Sequence, residues 1–152
     1  MFLILGLVIK TMISYFLLYF NPSWAPLVLR VVLGGLLTAH GFQKIGAGFA
    51  GFAGWLESLG FRPSKLFAAI VATAETVGGF FLIGGFLTHI TALILIAEFL
   101  VILIRLRLMQ KAPLIGQNGW ELDLLYCTVL VSLLFTGPGI YSLDQALSLW
   151  WF

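Results

Sequence analysis

Five long apolar runs dominate the chain, at residues 2–20, 25–45, 66–86, 88–108 and 121–137. Each approaches the ~20 residues that a helix needs to cross the hydrocarbon core of a bilayer. Backbone inside lipid must satisfy its own hydrogen bonds, so only helices and closed barrels span it. These runs are continuous rather than alternating, and no proline interrupts the interior of the last four. They therefore read as helices. Composition agrees: 61% of residues are hydrophobic and 9% charged, against about 45–50% and about 25% in soluble domains. The expected fold is an all-α integral membrane protein. It is a four-transmembrane-helix bundle with an extra N-terminal hydrophobic helix and short interfacial helices. The N-terminal helix takes residues 1–23 and one membrane domain takes residues 24–152.

The first run, "FLILGLVIKTMISYFLLYF", lacks a basic leader and a small-residue cleavage site, and it carries Lys10 in its middle. It is therefore not read as a signal peptide. Lys10, Thr11 and Ser14 share one helical face. That fits a span with its polar face turned inward, the preferred reading, or an interfacial helix. In residues 46–65, Phe49, Phe52, Trp55 and Leu56 give one apolar helical face, so a short interfacial helix is expected with Trp55 at headgroup depth. In the tail, Ser142 with Gln145 resembles a capping box, and Trp150 and Trp151 suit the interface.

Lys44, Arg62 and Lys65 lie around the connection after the second run, and Arg105, Arg107 and Lys111 around that after the fourth. The turn at Gly84 to Thr88 and the region after Gly137 have no Lys or Arg. The positive-inside rule places both basic loops in the cytoplasm and the C-terminus outside. The location implied is the inner (plasma) membrane, crossed several times. The formal net charge of +2 is too small to suggest a nucleic-acid partner.

Three charges fall inside apolar runs: Arg30, Glu75 and Glu98. With a rise of ~1.5 Å per residue, both acids lie roughly 15–16 Å below the outer ends of their helices, and Arg30 about 8 Å below its own. A charge at helix centre costs ~2.5–3.5 kcal/mol on insertion scales, so partners are expected. The expected cluster has Arg30 shared between Glu75 and Glu98, either as a functional site or as a packing device. Each core helix is expected to turn its polar or small-residue stripe inward. For the last helix that stripe is Glu121, Leu125, Thr128, Ser132 and Thr136. Gly34, Gly41, Ala72, Gly78 and Gly79 are the expected helix-packing positions, where small residues let backbones approach. A second polar cluster, His40, Gln43, Lys44, Glu121 and Asp123, is expected at the cytoplasmic side. Its acids suit the start of a helix, or they line a site for a headgroup.

Much cofactor chemistry is not expected. His40 and His89 lie near opposite membrane faces and cannot share a haem, and the single cysteine, Cys127, cannot hold an iron–sulfur cluster. Cys127 reads as a small apolar filler. No metal site and no covalently bound cofactor are expected, and the catalytic residues are unknown. A redox role would need a bound quinone or a partner subunit; lipid is the other candidate ligand.

The segments "LRVVLGGLLTAHGFQKI", "LESLGF", "ATAETVGGFFLIGGFLTHITAL", "GWELDLLY" and "TGPGIYSLDQAL" follow in an order and spacing that resemble the DoxX family, over residues 27 to 147. The family pattern falls on Arg30, Gly34 and Gly41 to Lys44, then on Glu75, Gly78 and Gly79. It closes on Gly137 to Gly139 and Ser142 to Asp144. His89 stands where the family usually has another basic residue, often Arg, and the first run is longer than a typical family N-terminus. The resemblance implies a small four-helix membrane protein. Some members resemble subunits of thiosulfate:quinone oxidoreductases, and others associate with thiol-redox and superoxide-detoxifying partners. Two readings follow. In the first, the chain is an accessory subunit of a larger, redox-linked membrane complex, with other membrane-protein subunits as partners. In the second, it acts alone as a quinone-dependent oxidoreductase or a small-molecule or proton transporter. There Arg30, Glu75 and Glu98 form the site and His40 a relay.

Overall fold

The structure is a computed structural model that describes residues 2–19, 24–116 and 119–149, with side chains described from residue 5 to 15 and, beyond Trp24, at all but 108 and 109. Trp150 and Trp151 lie outside the described residues. The runs become helices: α1 (Phe2–Tyr19), α2 (Trp24–Ile45), α4 (Ser64–Gly84), α5 (Thr88–Arg105) and α6 (Glu121–Thr136). The short helices are α3 (Phe49–Ser58) and α7 (Leu143–Ala146). The protein is an all-α integral membrane protein; α2, α4 and α5 are each long and apolar enough to cross a bilayer.

α2, α4, α5 and α6 form a closed ring in which each packs on its neighbours and α6 returns to α2. The closest pair is α2 and α4, which run antiparallel. A Cβ added at Gly34 would sit 2.6 Å from the Gly79 carbonyl oxygen, and one at Gly41 would sit 2.7 Å from the Thr76 nitrogen. Only glycine permits that approach. Gly85 ends α4 at φ 65°, a left-handed cap that turns the chain tightly into α5.

The core has two storeys. At the end away from the basic loops, Leu33, Leu37, Leu82, Leu95, Leu130 and Leu133 form an almost fully buried apolar layer. At the basic-loop end, Ala53, Leu56 and Leu59 of the α3 segment pack on Ala68, Ile102 and Leu106. α3 thus covers the base of the bundle. α5 continues there into a π-helical turn, Leu106–Gln110.

Two expectations are corrected. In α6, Glu121, Leu125, Thr128 and Thr136 are exposed, while Tyr126, Cys127, Leu130 and Leu133 face inward. The hydroxyls of Thr128 and Thr136 bond the carbonyls of Leu124 (2.8 Å) and Ser132 (3.0 Å) in their own helix. So satisfied, they need no inward position. In α1, every residue from Leu5 to Tyr15 is exposed, Lys10, Thr11 and Ser14 included. The polar face of α1 is not turned into this bundle.

Candidate functional site

Four helices bring ionisable groups together in the basic-loop half of the bundle. Lys44 sits in the last turn of α2. Its ammonium lies 2.6 Å from each oxygen of Glu75, from the middle of α4. Glu75 is 2% exposed, and its partner's side chain 20%. The Lys44 stem reaches over α3, where Nζ stands 4.6 Å from the Phe52 ring centroid. That placement favours the cation twice, through the carboxylate and through the ring face.

Glu98 reaches the same place from α5. Both its oxygens are buried without a hydrogen-bond donor among the described residues. Its charged neighbours are Glu75, Lys44 and Asp123. Asp123, in the first turn of α6, has Lys44, Glu75 and His40 around it. Tyr126 completes the group: its hydroxyl lies 3.5 Å from Nε2 of His40, and the two rings meet edge to face.

Arg30 does not join Glu75 and Glu98 as expected. Its guanidinium donates to the carbonyls of Leu82 (3.1 Å), Ile83 (3.3 Å) and Tyr141 (2.9 Å). The first two are carbonyls of the last turn of α4, where a helix runs out of its own donors; that of Leu82 also accepts from the Gly85 nitrogen (3.1 Å). They also carry the negative end of the helix dipole. The Arg30 side chain turns toward the end of α4 and the C-terminal segment, away from Glu75 and Glu98. Asp144 faces the same turn. Its carboxylate accepts from the Leu87 nitrogen (2.6 Å) and the Thr88 nitrogen (2.9 Å), capping α5. Its own nitrogen donates to Gly85 (2.9 Å). Arg30 and Asp144 together clamp the α4–α5 turn to the C-terminal segment. Ser142 caps α7 by accepting from the Gln145 nitrogen.

Of the expected second cluster, His40, Lys44 and Asp123 converge with Glu75 and Glu98, while Gln43 and Glu121 are exposed. Of the small residues, Gly34, Gly41, Ala72 and Gly79 lie at the α2–α4 contact. Gly78 instead faces Leu95 and Thr91 of α5. Sequence reasoning missed Tyr126 as a member of the site, although it stands one turn beyond Asp123 on the same face. It also missed Asp144 as the cap of α5.

The arrangement is therefore one polar centre and one structural clamp, both built largely from α2, α4 and α5. The model of the DoxX family matches residues 25–106. The chain belongs to the DoxX family. The DoxX match covers Arg30, Lys44, Glu75 and Glu98, and leaves α1, Asp123, Tyr126 and Asp144 outside it. The chain is also 29% identical over 146 residues to an uncharacterized membrane protein of Mycobacterium tuberculosis, covering 84% of this chain and 90% of that one. No solved structure matches.

Proposed function

We propose that this DoxX protein is a subunit of a larger membrane complex linked to quinone chemistry and electron transport. It would sit in the inner (plasma) membrane with the basic loops cytoplasmic and the C-terminus outside. The observation that carries this reading is a groove of about 530 Å³ between α4 and α5. Its lining includes the small residues Ala69, Ala74 and Gly78 and the large apolar residues Phe81, Ile90 and Ile94. Small residues in a lining let a foreign helix or chain approach closely, and such close packing drives association in lipid. The lining fits an isoprenoid tail or an acyl chain, and Thr73 and Thr91 are its polar residues. A quinone bound there would supply a carrier of two electrons and two protons; this chain's part would be to seat it. The exposed stretch of α1 from Leu5 to Tyr15 supports the same reading, because exposed apolar side chains offer a surface to a partner.

The test is photo-crosslinking from position 74 in native membranes, followed by mild solubilisation. The reading expects co-purifying membrane subunits together with quinone or lipid, and loss of both in Ala74→Trp, which fills the groove. A lone 152-residue chain without partner or long-tailed ligand would overturn it.

A second reading, a chain that acts alone as an oxidoreductase or transporter, draws on the Lys44–Glu75–Glu98 centre. It expects Glu75→Gln to abolish activity in reconstituted vesicles, and fails if that variant works like the parent.

A further inference from the structure

The polar centre has an imbalance in its hydrogen bonds. Lys44 spends its contact on both oxygens of Glu75. Glu98 lies against that same carboxyl, yet no donor reaches either of its oxygens among the described residues. Two carboxylates are both acceptors, so a contact between them becomes a hydrogen bond only when one carries a hydrogen. A buried charge without such a bond is strongly disfavoured. What the site lacks is a single donor, and the smallest group that supplies one is a proton. A metal is a poor alternative, because no three His, Cys, Asp or Glu side chains among the described residues are grouped to hold one.

We propose that Glu75 and Glu98 form a carboxyl pair that binds one exchangeable proton beside the Lys44 ammonium, reached only from the basic-loop end. The O–H bond forms at Glu98 when a proton arrives from water and breaks when it returns; no electron is transferred. The groups that face the pair are Lys44 from α2 and Asp123 and Tyr126 from α6, with His40 of α2 behind them beside Asp123 and Tyr126. Asp123, Tyr126 and His40 give the route: Asp123 lies in the first turn of α6, near the base, and Tyr126 touches His40, which is partly exposed. Toward the other face the way is closed. Leu37, Leu82, Leu130 and Leu133 are fully buried there and Leu33 and Leu95 nearly so, and these six side chains carry no donor or acceptor; the buried hydroxyls beside them are those of Thr38 and Thr91. The inference stands on the carboxyl pair alone and holds whether the chain works inside a complex or by itself.

Dicyclohexylcarbodiimide, an apolar reagent that modifies protonated carboxyls inside membranes, tests it on the full chain in lipid vesicles. Peptide mass spectrometry locates the adduct. The expected result is an adduct on the Glu75–Glu98 pair that falls as pH rises and is lost in Glu98→Gln. It persists in Glu57→Gln, an exposed acid of α3. With different pH on the two sides, the yield should follow the basic-loop side. The parent protein alone makes the test decisive, so a misfolded variant does not shield the proposal. No adduct on either glutamate overturns it, as does a yield indifferent to pH. Protection by sodium ions at fixed pH also overturns it, because the site would then hold a metal cation. A yield that follows the opposite face overturns the route.

Discussion

At the scale of single residues, Arg30 and Asp144 show how charges survive in a mostly apolar chain. Each is almost fully buried, and each is spent on backbone groups at or beside the α4–α5 turn and the segment before α7. Leu87 adopts φ 47°, a left-handed conformation that costs roughly 1–2 kcal/mol for a residue with a side chain. The two hydrogen bonds from Leu87 and Thr88 to Asp144 offset that cost. Asp144→Ala should therefore destabilise the turn by about 1–3 kcal/mol. Hydrogen exchange should show it locally, as faster exchange at the Leu87 and Thr88 amides with little change in mid-helix α5. Uniform acceleration along α5 would mean that Asp144 has no special hold on the turn. Arg30→Lys keeps the charge but loses the planar fork, so it should release the Tyr141 contact and loosen the segment before α7. Unchanged exchange around Ser142 would contradict this.

At the scale of elements, glycine placement separates contact from exposure on one helix. Gly34 and Gly35 are adjacent on α2, yet a Cβ at Gly34 strikes α4 while one at Gly35 meets nothing within 4 Å. Gly34→Val should cost about 1–3 kcal/mol or more by wedging α2 from α4. Gly35→Ala should be neutral or stabilising by up to about 1 kcal/mol. Thermal unfolding in detergent checks both, and equal effects would refute the α2–α4 contact. The helices themselves were legible from the sequence, because apolar length and the breaks at Gly85 and Gly137 mark them directly. The inward face of α6 was not, since Thr128 and Thr136 look polar in sequence but satisfy themselves within the helix. Nor was the partner of Arg30. Rise along an axis locates a backbone, whereas a long side chain chooses among acceptors above and below it. Lys44 was placed with the cytoplasmic cluster because its backbone lies at the helix end; its flexible stem reaches Glu75 at 2.6 Å.

At the scale of the whole molecule, the two basic loops sit at one end of the bundle and the Arg30–Asp144 clamp at the other. The proposed topology predicts that, in a Cys127→Ala background, a membrane-impermeant maleimide applied to intact cells labels Tyr141→Cys and not Lys111→Cys. The reverse pattern would invert the orientation. Between the two ends, four helices converge on Lys44, Glu75 and Glu98. The central claim is that the buried Lys44–Glu75 pair organises that convergence. A double-mutant cycle in thermal or denaturant unfolding measures it most directly. Lys44→Met leaves a buried carboxylate without its cation and should cost about 3–5 kcal/mol. Adding Glu75→Gln to Lys44→Met should recover most of that loss, because no unpaired charge remains. If the double variant instead loses the sum of the two single losses, Lys44 and Glu75 do not act as a pair, and the polar centre described for this bundle is wrong.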